Sequence, residues 1–126
     1  MPYGDGSGKD FAVMILIIGG RAQGKLAFAK ETLGVTGYTD GIVGAENCLY
    51  NLQDAVRYGM DIPALDAYLA RYPDAVIICD EVGCGIVPME KEERIWRETV
   101  GRICCYLAER AQHVYRVFCG IGVMIK

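Results

Sequence analysis

Glycines and a lysine near the beginning of the chain have the spacing of a phosphate site. Residues 19–25 are Gly-Gly-Arg-Ala-Gln-Gly-Lys, the G-x-x-x-x-G-K spacing of a phosphate-binding loop. Glycines let the backbone turn its N–H groups toward an anion, the positive end of the following helix faces the same point, and Lys25 adds a cation. The alternative is a glycine turn with a solvated lysine, and the spacing favours the phosphate loop. We predict that a nucleoside triphosphate is bound by Gly19, Gly20, Arg21, Ala22, Gln23, Gly24, Lys25 and Leu26.

The residue after the lysine departs from the usual phosphate loop. That position normally carries Ser or Thr, whose hydroxyl binds the Mg²⁺ that bridges the β- and γ-phosphates, and here it is Leu26. A leucine side chain offers no oxygen to a metal. Binding of phosphates by backbone N–H groups survives this change, whereas rapid phosphoryl transfer, which relies on the metal to neutralise charge, is put in question.

Two acids follow a second apolar run. Residues 76–79 are Val-Ile-Ile-Cys, and Asp80 and Glu81 come next. In nucleotide-binding sheets, an acid at the carboxyl end of a strand beside the phosphate loop holds Mg²⁺, and a neighbouring acid orients a nucleophile. We predict Asp80 as the metal ligand, with Lys25 and Glu81 as the catalytic residues. The alternative is that both acids accept hydrogen bonds from backbone N–H groups in a turn.

A sheet is needed to bring these residues together, and strand and helix patterns alternate along the chain. Continuous apolar runs predict buried strands at 14–18 and 75–79. A last strand is expected at 114–119 and a short strand within 34–44. Helical spacing predicts helices over about 24–33, 49–56, 61–72 and 89–112. We therefore predict an α/β fold, a P-loop NTPase-like three-layer sandwich with a mostly parallel sheet.

Length and composition indicate one domain. The 126 residues are 52% hydrophobic and 23% charged, which is ordinary for a globular domain, and we predict a single domain over 14–126 after a flexible, glycine-rich leader over 1–13. The formal net charge of -3, without a block of Lys and Arg, argues against nucleic acid or an anionic membrane as partner. The longest apolar run, 11–18, is too short to span a bilayer.

The cysteines and the single histidine indicate no metal site. The six cysteines include no C-x-x-C pair and no histidine at metal spacing, so we interpret them as reduced core thiols of a cytoplasmic protein. His113 is interpreted as a solvated residue between the last helix and strand. Arg94, Arg97 and Arg102 fit a salt-bridged helix face, and an anion-binding role is the alternative.

The second half of the chain resembles one enzyme family. Residues 81–88 (Glu-Val-Gly-Cys-Gly-Ile-Val-Pro), Arg94, residues 96–98, residues 101–102 and the ending 120–126 look like the bifunctional adenosylcobinamide kinase / adenosylcobinamide-phosphate guanylyltransferase family of cobalamin biosynthesis. The similarity runs over 80–126 without an evident gap and extends to the strand and loop up to Lys25. It covers about half of the chain with specific motifs.

This resemblance implies a P-loop α/β fold and two cytoplasmic reactions. In the first, ATP or GTP with Mg²⁺ phosphorylates the side-chain hydroxyl of adenosylcobinamide, a corrinoid. In the second, GMP is transferred onto that phosphate through a guanylylated histidine. The resemblance also implies homo-oligomers with sites completed near subunit contacts.

Several departures from the family pattern change these expectations. Between Lys25 and Asp80 the chain is shorter than the pattern and contains no histidine, and His113 falls where the family has no such motif. Asp80 replaces an amide, Cys104 replaces a polar residue, and Glu46 only weakly matches a second acidic strand end. We therefore expect a short family member that is a nucleotide-dependent kinase without guanylyltransferase activity. The alternatives are a catalytically weakened nucleotide-binding partner or regulator, and a fold that binds no ligand.

Overall fold

The computed structural model describes residues 13–82 and 90–126, over which strands and helices alternate. In chain order they are β1 (Ile15–Gly19), α1 (Lys25–Leu33), β2 (Thr39–Asp40), β3 (Cys48–Tyr50), α2 (Leu52–Arg57), α3 (Ile62–Arg71), β4 (Val76–Asp80), α4 (Lys91–Arg110), β5 (His113–Phe118) and β6 (Ile121–Met124). Residues 1–12 of the predicted leader and the predicted loop at 83–88 lie outside the described residues.

These strands form one sheet in the order β2-β3-β4-β1-β5-β6. Every neighbouring pair is parallel except β5 and β6, which form an antiparallel hairpin. At the end of the central strand β1, Gly19 lies between Asp80 of β4 and Val117 of β5. The predicted mostly parallel sheet is confirmed. The loop after β1 leaves the sheet at the carboxyl ends of the parallel strands, where α/β proteins bind their ligands.

Apolar side chains alternate between the two faces of this sheet. On one face, Leu16 of β1 and Ile77 of β4 pack against α2, α3 and α4. On the other face, Ile17 and Ile78 pack against Phe28 of α1. Because successive strand residues point to opposite faces, a continuous apolar run fills both layers of core. The predicted three-layer sandwich is confirmed.

The helix ends follow their local sequence signals. Gly34 ends α1 in the left-handed conformation with φ 73°, which costs glycine little. Asp61 begins α3, and its side chain accepts a hydrogen bond of 3.0 Å from the N–H of Ala64. The predicted helix over 49–56 begins too early, because Leu49 belongs to β3 and α2 begins at Leu52. Both leucines are buried in the same core cluster, so their helical spacing spans a strand and a helix.

The cysteines are divided between the core and the surface. In the described part of the chain, Cys48 and Cys79 are buried, Cys104 is half-buried, and Cys105 and Cys119 are exposed, all as free thiols. The interpretation as core thiols fits the first two and is wrong for the two exposed ones. Cys105 lies on the outer face of α4 and Cys119 in the turn between β5 and β6.

Across residues 13–82 and 90–126, no helix is both long enough and apolar enough to cross a membrane.

Candidate functional site

The loop between β1 and α1 is built by two glycines that no other residue could replace without strain. A side chain at Gly19 would place its Cβ 2.6 Å from the carbonyl oxygen of Val117, so glycine allows β5 to pair closely with the end of β1. Gly24 begins α1 with φ 88°, and its Cβ would lie 3.1 Å from the Cα of Gly120. The first turn of α1, whose N–H groups have no partner within the helix, therefore begins immediately after the left-handed residue Gly24.

The hairpin turn between β5 and β6 supports the loop from outside. The backbone carbonyl of Gln23 accepts a hydrogen bond of 2.7 Å from the N–H of Gly120, and its side-chain Oε1 accepts one of 2.8 Å from Cys119. Gln23, predicted as a nucleotide contact, is thus bonded to the hairpin through its side chain. Arg21 and Ala22 are exposed and line the adjacent cleft. The hairpin fixes the loop conformation before any ligand is bound.

Lys25 and Asp80, two predicted site residues 55 positions apart, are in direct contact. The Lys25 amine lies 2.7 Å from Oδ1 of Asp80 and donates a hydrogen bond of 2.6 Å to the carbonyl of Gly20. Lys25 is only 4% exposed. Its buried charge is neutralised by the Asp80 carboxylate and further stabilised by the hydrogen bond to the Gly20 carbonyl. A strand-end acid and the loop lysine therefore form a single charged centre at the carboxyl edge of the sheet.

Leu26 faces the protein core. Its half-buried side chain packs against the apolar cluster between α1 and the sheet, which contains Ile17, Phe28 and Val117. The isobutyl group therefore contributes to the packing of α1 at the position where a phosphate loop usually carries a hydroxyl.

Glu81 lies beside Asp80 but has a different partner. Its carboxylate accepts two hydrogen bonds from the guanidinium of Arg116, of 2.7 and 3.0 Å, and its N–H donates to the carbonyl of Gly19. Such a two-point pair fixes the orientation of a carboxylate. Sequence reasoning missed Arg116, which reaches this place because β5 pairs in register with β1, so that Arg116 lies opposite Ile18.

A cleft of about 530 Å³ opens next to the Lys25–Asp80 pair. It runs between the phosphate-binding loop, the ends of β3 and β4, and α4. Its lining residues are Arg21, Ala22, Tyr50, Asn51, Gln53, Asp54, Asp80, Val82 and Trp96. The polar members from 50–54 come from the end of β3, from Asn51 and from the first turn of α2, a part of the site that the sequence did not identify.

Burial and nearby carboxylates raise the pKa of Tyr50 on the wall of this cleft. Burial, and then the negative charges of Asp80 and Asp40, raise the pKa of the Tyr50 hydroxyl above its ordinary value. Nearby, Asn51 adopts the left-handed conformation with φ 59° as it begins α2. Non-glycine residues in that conformation are concentrated at functional sites. The cleft therefore combines hydroxyl and amide hydrogen-bonding groups with carboxylates next to the phosphate-binding loop.

A smaller apolar hollow of about 220 Å³ lies on the α4 side of Glu81. Cys104 lines it together with Ile18 and Val100. A hydrogen bond from Cys79 lowers the pKa of the Cys104 thiol.

The remaining candidate residues lie outside the cleft. Arg97 donates a hydrogen bond to the carbonyl of Val82, and Arg102 is exposed. His113 begins β5 opposite Ile15, at the end of the sheet farthest from the loop. Glu46 precedes β3, and its backbone carbonyl accepts the Tyr68 hydroxyl.

Residues 13–82 and 90–126 contain no group of three or more His, Cys, Asp or Glu side chains that could hold a metal ion. Within these residues, side chains alone therefore do not form a complete metal site. Mg²⁺ at nucleotide sites takes one or two carboxylates and completes its shell with waters and phosphate oxygens. A single carboxylate at the loop, that of Asp80, fits this kind of site.

The strand, the glycine loop, the helix with its buried lysine and the strand-end acid define a P-loop α/β protein. Residues 41–125 match the model of the family described as cobinamide kinase / cobinamide phosphate guanyltransferase. The chain belongs to this family.

Two curated relatives carry the same name. The bifunctional adenosylcobalamin biosynthesis proteins CobU of Escherichia coli (strain K12) and of Salmonella typhimurium (strain LT2) are each 42% identical to this chain over 67 residues. Each match covers 52% of this chain and 37% of the relative. The aligned part thus spans just over a third of the length of the relatives.

Proposed function

We propose that this chain binds ATP or GTP at the loop 19–26 and transfers the γ-phosphoryl group to the side-chain hydroxyl of a cobinamide-like corrinoid. The contact between the Lys25 amine and the Asp80 carboxylate carries the proposal. This contact brings the lysine that we propose for phosphate binding together with the acid that we propose for the metal, beside the first turn of α1. Phosphoryl transfer depends mainly on positioning and charge neutralisation, which these groups supply.

When a nucleotide binds, the Lys25 amine would exchange its two present partners for phosphate oxygens. Its bonds to Gly20 and Asp80 hold the amine at the loop, and a polyphosphate offers it equivalent oxygen acceptors with more charge. Asp80, released from the lysine, would hold Mg²⁺, which supplies charge neutralisation on the phosphates when bound. Glu81, held by Arg116, is proposed to orient the attacking hydroxyl as the second catalytic residue with Lys25.

The cleft beside the loop is where the acceptor would bind. Tyr50, Asn51 and Asp54 offer a hydroxyl, an amide and a carboxylate on its wall. These groups suit an acceptor that carries both a hydroxyl and amide groups. The position next to the outer phosphates suits transfer to that hydroxyl.

The guanylyltransferase reaction is proposed to be absent from this chain. It needs a histidine that carries the GMP, and no histidine lies between Lys25 and Asp80. His113 is at the opposite end of the sheet from the loop. A cytoplasmic location and a homo-oligomer remain proposals that the family resemblance supports.

One observation favours a second function, that of a nucleotide-binding partner or regulator with weakened catalysis. Leu26 packs into the core and gives no oxygen to a metal. Without that oxygen, Mg²⁺ is held less firmly and phosphoryl transfer slows.

Turnover of the purified chain with Mg²⁺, adenosylcobinamide and GTP or ATP labelled in the γ-phosphate tests the proposal. We expect labelled adenosylcobinamide phosphate, and no GMP-linked product when the label is in the α-phosphate of GTP. The Lys25→Ala variant should lose this activity. Lys30→Ala is the matched control, because Lys30 is an exposed lysine of the same helix.

The outcomes separate the two functions. Nucleotide binding without any phosphorylated product would contradict the kinase and support the partner or regulator. Absence of nucleotide binding would contradict both.

A further inference from the structure

Gln53 is a buried polar residue next to the candidate site. In the described part of the chain, Gln53 and Lys25 are the only buried polar or charged residues, and they are 5% and 4% exposed. The carboxamide of Gln53 is bonded at both ends: its Oε1 accepts a hydrogen bond of 3.0 Å from the N–H of Asp80, and its Nε2 donates one of 3.0 Å to Oδ1 of Asn51. A buried amide is tolerated because both of its ends are satisfied.

The bond to Asp80 replaces a missing strand. β3 pairs with β4 only at Val76 and Ile77, and the chain then leaves the sheet to begin α2. In a parallel ladder, alternate N–H groups of a strand point to opposite neighbours. The N–H of Glu81 bonds to Gly19 of β1, so that of Asp80 points to the β3 side. There the Oε1 of Gln53 takes the place of a strand carbonyl.

This arrangement fixes the backbone of Asp80 from both sides. The side chain that it carries ends 2.7 Å from the Lys25 amine. The backbone carbonyl of Gln53 also accepts a hydrogen bond of 2.8 Å from the indole N–H of Trp96. Gln53 therefore connects α2, the end of β4 and α4 at the point where the acid meets the lysine.

We propose that Gln53 is a positioning residue, whose carboxamide holds the end of β4 so that the Asp80 carboxylate meets the Lys25 amine and, in turn, the metal of a bound nucleotide. The part that concerns the nucleotide rests on the proposed function. The contact with Lys25 does not, and it can be tested without any ligand.

Amide hydrogen exchange at Asp80, measured by NMR on the full chain without nucleotide, tests the hydrogen bond itself. Gln53→Met keeps the size of the side chain and removes the acceptor, so exchange at Asp80 should become about tenfold faster, the effect of one ordinary hydrogen bond. Gln53→Glu retains an acceptor oxygen but has no donor for Oδ1 of Asn51, so it should restore only part of the protection. Tyr68→Phe is the matched control: it removes another buried bond, from the Tyr68 hydroxyl to Glu46, and should leave Asp80 unchanged.

Acetylation of Lys25 by acetic anhydride, followed by mass spectrometry, reports the contact with Asp80. The ion pair and burial shield Lys25 in the wild type, and Gln53→Met should raise its labelling relative to the exposed Lys30. If Gln53→Met disturbs folding, Gln53→Asn keeps the carboxamide, is one methylene shorter and should give the same two effects. Unchanged exchange at Asp80, or unchanged labelling of Lys25, would overturn the proposal.

Nucleotide binding gives a third readout. Gln53→Met should reduce the ratio of GTP affinity with Mg²⁺ to that with EDTA by about fivefold or more, because Gln53 acts through the metal-binding acid. The affinity in EDTA should not fall, because a looser contact between Asp80 and Lys25 competes less with the nucleotide. Equal loss in both conditions would indicate a general structural role and overturn the positioning of the metal-binding acid. If the wild type does not bind nucleotide either, the proposed function fails, while exchange and labelling still decide whether Gln53 positions Asp80.

Discussion

Replacing Asp80 with asparagine should strengthen nucleotide binding without Mg²⁺ and reduce the gain in affinity that Mg²⁺ provides. The Lys25 amine lies 2.7 Å from the Asp80 carboxylate, and the two side chains are 4% and 19% exposed. A hydrogen bond between charged groups in such a site contributes about 1.5–3 kcal/mol, and a polyphosphate that takes the lysine must break it. In EDTA, Asp80→Asn should therefore strengthen ATP and GTP binding by roughly tenfold, since the amide retains part of the bond.

With Mg²⁺ present, the same change removes the charge of the acid that we propose as the metal ligand. The neutral amide oxygen of asparagine binds Mg²⁺ more weakly than a carboxylate. The ratio of affinity with Mg²⁺ to affinity in EDTA should fall by at least about tenfold, the loss expected when a metal ligand is weakened.

Isothermal titration calorimetry in the two buffers measures both effects. Asp74→Asn is the matched control, because Asp74 is an exposed acid just before the opposite end of β4. If Asp80→Asn changes affinity equally in both buffers, or leaves the EDTA value unchanged, Asp80 does not compete for Lys25 and the reasoning fails.

Three further perturbations test other parts of the structure. Leu26→Ser should strengthen Mg²⁺-dependent GTP binding in calorimetry, while lost packing lowers the free energy of unfolding by about 1–3 kcal/mol; no gain with Mg²⁺ would show that the hydroxyl has no role here. Gly24→Ala should lower the free energy of unfolding by about 1–3 kcal/mol in urea melts, since Gly24 has φ 88° and its Cβ would approach Gly120; wild-type stability would contradict this geometry. Burial, with a smaller effect of Glu46, raises the pKa of the Cys48 thiol from 9.0 to about 11. The contribution of this pKa shift to the free energy of unfolding is fully present below pH 9 and is lost as the pH rises toward 11. Cys48→Ala has no thiol to ionise, so its free energy of unfolding in urea should decline less over that pH range.

The loop between β1 and α1 and the layers of the fold could be predicted because their signals are local. The glycines and the lysine that define the loop all lie within residues 19–25. The continuous apolar runs at 14–18 and 75–79 directly indicate strands that are buried on both faces. The acids after the second run were placed correctly next to the loop because β1 and β4 are parallel neighbours. The roles predicted for these residues in binding and catalysis stay predictions.

The parts that could not be predicted depend on contacts between distant segments. Arg116 meets Glu81 only through the register of β5 on β1. Gln53 reaches Asp80 because β3 is short, and the sequence pattern concealed that strand since Leu49 continues the helical spacing of α2. The β5–β6 hairpin was missed for a local reason: its turn is formed by Cys119 and Gly120, whose left-handed conformations become evident only in the structure.

The central claim is that the first turn of α1 and Lys25 hold a polyphosphate although the usual hydroxyl is a leucine. A titration of the wild type, Lys25→Ala and Lys30→Ala with GTP and with ATP, in EDTA and in Mg²⁺, measures this most directly. We expect one saturable site per chain, a loss of roughly 10- to 100-fold in Lys25→Ala, as one charged hydrogen bond is removed, and no loss in Lys30→Ala. The absence of binding to the wild type, or the same affinity for the two lysine variants, would contradict the claim.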